Sequence, residues 1–198
     1  MRFIFIIIAI FILGGCTTKV PSVTEFRITT QHIESSFART SCQDNSLRVV
    51  QAFSSNTLMS KSMSYALGEY KQDTYTQSEW AESPNKAITA QIIKSAQVTK
   101  LFRSVQSSKS RSKSGMVLEA NIEEFLQHFS QDEASSFANA VITFTLIDAK
   151  SATIVDSKTF NSKVEVKSLN AQGGVIALNK ALENILRDMS QWLGENCR

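Results

Sequence analysis

Two histidines, three cysteines, two prolines and seven glycines are all that 198 residues contain of those types. Each scarcity excludes something. With only His32 and His128, and with no HExxH, CxxC, GxSxG or glycine-rich phosphate loop, the signatures of zinc hydrolases, redox dithiols, α/β-hydrolases and nucleotide binders are missing. Gly173-Gly174 lacks the rest of a dinucleotide fingerprint. Glu119, Glu123 and Glu124 cluster on one segment, but an acid/base pair needs a pocket, and solvated strand residues account for them more simply. The expectation is a protein that binds rather than catalyses, without cofactor or metal. Charge is balanced as well, with 21 Lys and Arg against 18 Asp and Glu, too small an excess to argue for nucleic acid. Nor does any apolar run reach the roughly 20 residues of a membrane-spanning helix. No internal repeat or long low-complexity segment suggests a second domain.

The one long apolar run, Phe3 to Leu13, follows the positive charge of Arg2 and ends in Gly14-Gly15, with polar Thr17, Thr18 and Lys19 just beyond. That is the layout of a secretory signal peptide. Its end, Leu13-Gly14-Gly15-Cys16, resembles the lipobox of bacterial lipoprotein precursors. Small side chains let the backbone enter a peptidase cleft, and the Cys16 sulfur is the nucleophile that takes a diacylglyceryl group. Cleavage before Cys16 would free its amine for another acyl chain. Since each buried methylene is worth about 0.8 kcal/mol, several chains hold a protein stably on the bilayer. The expected organisation is a signal peptide over 1–15, a lipidated tether over 16–24 and one domain over 25–198. The sorting rule that accompanies the lipobox keeps proteins with aspartate after the cysteine at the inner membrane. Thr17 in that place points to the outer membrane of a Gram-negative cell, facing the periplasm. The other two cysteines, Cys42 and Cys197, form an even pair for an oxidising compartment, and a disulfide between them is expected. It would tie the start of the folded region to the last helix.

Patterning supplies the elements. Phe26 and Ile28 alternate in a short strand over 24–28, and Leu47, Val49, Gln51 and Phe53 share one face of a strand over 47–53. Met63, Tyr65 and Leu67 alternate next, followed by a turn near Gln72-Asp73 and a strand ending at Trp80. Ser83-Pro84 reads as N-cap and first helical residue of a helix running to about Leu101. Residues 106–114, with Lys109, Arg111 and Lys113, read as a solvated hairpin loop; the competing reading is a site for anionic lipid headgroups. Three antiparallel strands follow. Met116, Leu118, Ala120 and Ile122 face inward on the first, with a bulge at Glu123-Glu124. Ala138, Ala140, Ile142, Phe144 and Leu146 face inward on the second, and Thr153 to Val166 forms the third. A last helix, about 174–193, carries Val175, Leu178, Leu182, Ile185, Met189 and Trp192 in a stripe that covers one sheet face.

In this order several motifs bring the chain close to a family. It resembles the ABC-type transport auxiliary lipoproteins, the PqiC-like periplasmic lipoproteins. The resemblance rests on the lipobox, the strand at Thr24–Ile28, the stretch YTQSEWAESP from Tyr75 to Pro84 and Ile122-Glu123-Glu124-Phe125. It rests further on Phe160, the run Ala177 to Leu182 and Trp192-Leu193. It implies an α+β fold, an α/β sandwich in which a mainly antiparallel sheet has two main helices packed on one face. It also implies an auxiliary role, docking the MCE-domain substrate-binding protein of an inner-membrane ABC permease and ATPase complex to the outer membrane for phospholipid transport. Two other readings are an assembly or plug lipoprotein for an outer-membrane β-barrel and a lipid-handling enzyme. The family motifs look structural, so no contact residues carry over.

Overall fold

The computed structural model describes residues 21–31 and 42–196. The expected signal peptide, Cys16 with most of the expected tether, His32 and Cys197 lie outside them. The organising element is β7 (Met116–Phe129), a strand of 14 residues. One of its edges pairs along its whole length with antiparallel β8 (Ser136–Asp148), which pairs in turn with antiparallel β9 (Thr153–Glu165). Three short strands lie end to end along the other edge, all parallel to β7: β2 (Ser46–Val49), β3 (Phe53–Ser54) and β4 (Ser62–Leu67). The sheet then continues at one end through β5 (Lys71–Trp80) to β1 (Thr24–Phe26), and at the other through β6 (Ser104–Ser107). The nine-stranded sheet is therefore mixed: the long pairings are antiparallel, as expected, and the short ones flanking β7 are parallel.

Helices α1 (Pro84–Thr99) and α2 (Ala171–Asn196) cover one face. Beneath them Leu47 and Val49, the β7 residues Leu118 and Ile122, and Ala138 to Leu146 at alternate positions of β8 are all but inaccessible. Every residue of the expected α2 stripe is buried, from Val175 to Trp192. The helices approach each other closely at Ser95 and Ser190, whose hydroxyls are 3.0 Å apart. The expected bulge is present as a register shift between Ile122 and Glu124.

Three local expectations are corrected. The strand expected over 47–53 is interrupted. Val49 pairs with Leu118 and Phe53 with Asn121, so four steps along one strand match three along the other. The extra residue reverses the alternation. Phe53, expected to share the face of Leu47, is 73% exposed, while Ala52 turns in and donates its N–H to Thr89 Oγ1 at 2.9 Å. The turn expected at Gln72-Asp73 comes earlier, where Gly68 takes a positive φ of 63° that favours glycine. Lys71 to Thr74 are all exposed, so no apolar alternation marked that part of β5 as strand. Finally, segment 106–114 is no hairpin. β6 and β7 are both parallel to β2 and lie on either side of it, so the connection must cross β2 to start β7.

Candidate functional site

Ser83 borders α1, and its carbonyl accepts the Lys86 and Ala87 N–H groups at 3.0 and 3.1 Å; its side chain makes no capping bond. Just before the helix, Trp80 pairs with Phe26, packs against Phe125 and is buried. The chain leaving β1 is then fastened across both helices. Asn179 of α2 donates Nδ2 to the Arg27 carbonyl and accepts the Thr29 N–H, each at 3.2 Å, as a neighbouring strand would. Gln91 of α1 accepts from the Thr30 N–H at 3.3 Å and hydroxyl at 3.0 Å. The segment closest to the expected anchor is thus bound to the helical layer by side chains.

The opposite face of β7, β8 and β9 is open, and its polar groups largely satisfy one another. Thr143 donates to Glu123 and lies 2.6 Å from the Thr159 hydroxyl, and Thr145 lies 2.9 Å from Ser157. At one end Glu124 hydrogen-bonds His128 and accepts from Asn139 Nδ2 at 3.2 Å. The bond from His128, opposed by partial burial and aided by the attraction of the imidazole, holds the Glu124 carboxyl below the usual range. The His128 ring stacks on Phe137 with centroids 4.8 Å apart, and Lys163 Nζ lies 3.6 Å from the Phe137 centroid. Of the three glutamates clustered in the sequence, only Glu124 meets the histidine. Glu123 binds Thr143, and Glu119 is exposed. Among the described residues no serine or cysteine hydrogen-bonds His128. Among the described residues no group of three or more His, Cys, Asp or Glu side chains could hold a metal. Among them, too, no helix is long and apolar enough to cross a membrane.

Cys42 is buried, 3% exposed, in a short 3-10 turn before β2. Of the basic residues in 106–114, Lys113 lines a cleft with Arg48, Arg103 and Lys150, whereas Lys109 and Arg111 do not. Sequence reading missed this grouping, because its members are spread over a hundred residues and no spacing rule connects them.

A family model described as the ABC-type transport auxiliary lipoprotein component matches residues 31–190. The chain belongs to this family. As an ABC-transport auxiliary lipoprotein it falls in a family named for a component associated with ABC transport, not in a class of enzymes. Among solved structures, a protein from Xanthomonas campestris is similar at a TM-score of 0.73 and 14% identity, covering 89% of this chain and 93% of its own. An uncharacterised protein is similar at 0.67 and 10% identity, covering 87% and 99%. At such identities both likenesses show the fold. No curated protein matches the sequence. The residues that carried the family resemblance have structural places in this auxiliary lipoprotein: Trp80 buried at the end of β5 against Phe125, the bulge at Ile122–Glu124, and Phe160 between Phe144 and Trp192. Asn179 supplies the clamp on the chain leaving β1.

Proposed function

We propose that this auxiliary lipoprotein is anchored by an acylated Cys16 in the outer membrane, faces the periplasm, and docks an MCE-type ABC system that moves phospholipid. The family match over residues 31–190 carries the reading. The tetrad Leu13 to Cys16 and Thr17 support the anchor and its membrane. In this reading residues 1–15 are removed, 16–24 form the lipidated tether and 25–198 the docking domain. A Cys42–Cys197 disulfide is part of the proposal. Gln43 and Phe102 line one cleft, and Gly194 sits against Leu101, so the turn holding Cys42 and the end of α2 flank the same short segment.

Affinity purification of the full chain from cell envelopes tests the docking role. Recovery of an ABC permease or ATPase together with an MCE-domain protein is the expected result. Recovery of an outer-membrane β-barrel in their place overturns it in favour of a plug or assembly role. For the anchor, Cys16→Ser is expected to leave an unprocessed precursor absent from outer-membrane fractions; normal processing and fractionation would overturn it.

A further inference from the structure

We infer that the cleft lined by Arg48, Arg103, Lys113 and Lys150 binds a phosphate-bearing anion. The cleft, about 510 Å³, lies where the start of β2, the start of β7 and the β8–β9 turn converge. Four cations line it against one carboxylate, Asp44, and among the described residues none of the four is ion-paired. A concave surface lined by one sign of charge concentrates the field and draws in counter-ions.

The second observation does not depend on net charge. Leu47 and Val49 point under the helices, so Arg48 between them points to the other face, where the β6–β7 crossing passes over it. Arg48 donates to the Ser112 carbonyl, and the Ser46 hydroxyl donates to the Lys113 carbonyl at 3.4 Å. These contacts leave Arg48 Nε buried with no acceptor among the described residues. A buried polar group is normally satisfied, and an exception calls for a missing partner. The guanidinium fork matches two oxygens of a phosphate, so a modest rearrangement of the crossing loop would give this N–H an anionic acceptor. An excess of three cations suits a phosphate better than a carboxylate. The volume leaves room for an ester substituent, so a lipid headgroup and free phosphate share the chemistry. The site stands apart from the docking role and does not require it.

The test is calorimetric titration of the full acylated chain in neutral maltoside micelles with three probes: inorganic phosphate, glycerol 3-phosphate, and phosphatidylglycerol doped into the micelles. Saturable one-to-one binding is expected. R103Q/K150Q removes two cations that make no side-chain hydrogen bond among the described residues and should weaken binding about tenfold or more. K86Q/K94Q removes the same charge from exposed positions on α1 and should leave affinity within about twofold. Tighter binding of phosphatidylglycerol than of glycerol 3-phosphate identifies a lipid headgroup as the source, and equal affinities identify the free anion. Absence of saturable binding to all three probes, or equal weakening by both double variants, overturns the inference. Should R103Q/K150Q not fold, the wild-type chain labelled with [15N]arginine decides. The Arg48 Nε–H resonance shifts at saturating phosphate if the inference holds, and a stationary resonance overturns it.

Discussion

Replacing Gly174 with alanine sets helix propensity against packing. Alanine in place of glycine in a helix favours folding by up to about 1 kcal/mol, so propensity alone predicts a stabler protein. The structure predicts the reverse. A Cβ on Gly174 would lie 1.9 Å from Gln127 Oε1 and 2.7 Å from its Cδ. Gln127 is fully buried, accepting from the Tyr75 hydroxyl and donating to Ser136 Oγ, both at 3.0 Å. Moving it aside breaks both bonds of a fully buried amide, at about 1–3 kcal/mol for each buried group left unsatisfied. Against the propensity gain, Gly174→Ala should destabilise by about 3 kcal/mol in urea unfolding followed by circular dichroism. Gly194→Ala is the internal control. Its Cβ would meet Leu101 at 3.9 Å, an ordinary contact, so propensity should prevail and add a few tenths to about 1 kcal/mol. In a Gln127→Ala background the penalty at Gly174 should vanish, giving a coupling energy of about 3–4 kcal/mol. A Gly174→Ala protein as stable as wild type would refute the packing argument.

Other consequences can be measured directly. The Tyr75 phenol, pushed up from 10.0 to about 12 by burial and then by the neighbouring Tyr65, favours the folded state while neutral. That contribution is complete below the unfolded value and is lost as pH rises from about 10 to about 12, so an alkaline unfolding series should show a steeper loss for wild type than for Tyr75→Phe. Asp156 is held below its usual range first by the Trp192 Nε1–H, 2.6 Å from Oδ2, and then by the Ser157 backbone N–H. Its contribution is present above the unfolded pKa and lost as pH falls through the folded one. In Trp192→Phe the Asp156 carboxyl should titrate closer to its ordinary value by NMR, and the acid limb of stability should flatten; an unchanged titration would refute the assignment. Alkylation under denaturing conditions should label neither Cys42 nor Cys197 before reduction and both after it. Labelling of both without reductant would sink the proposed disulfide.

What could be read in the sequence follows from periodicity. The α2 stripe from Val175 to Trp192 and the inward rows of β7 and β8 repeat an apolar signal over several turns or pleats, so local patterning and tertiary burial agree. The bulge was legible because Glu123-Glu124 interrupts that signal. Misreadings fall where the signal is short or polar. One extra residue after Val49 turned Phe53 outward, and nothing within residues 47–53 reveals it, because the register is set by β7, more than sixty residues later. The crossing of residues 106–114 over β2 was illegible for the same reason: parallel partners are chosen by long-range pairing, and Ser, Lys and Arg in a loop look alike in a hairpin and a crossover. The basic cleft is a product of that crossing.

The clamp on the chain leaving β1 ties a family motif to the proposed anchor. Asn179 sits in the run Ala177 to Leu182 of α2, and its two bonds to Arg27 and Thr29 are replaceable by water because they are exposed. Each should therefore be worth about 0.5–1.5 kcal/mol, and Asn179→Ala should cost only about 1–2 kcal/mol of global stability. Its larger effect should be local. In the proposed anchoring, tension on the tether reaches the domain through residues 24–30, and with Asn179 removed that segment still has its pairing with β5, the Phe26 carbonyl bond to the Ala81 N–H, the Glu25–Lys61 pair and the Gln91 bonds. Local opening free energies are set by such contacts, so hydrogen exchange at Arg27 to Thr30 should accelerate well beyond any change in the core of α2 or β7. Uniform acceleration across the domain would mean that Asn179 acts through global stability alone. Unchanged exchange at these residues would mean that burial of Ile28 and Thr30, rather than the amide clamp, fixes the segment.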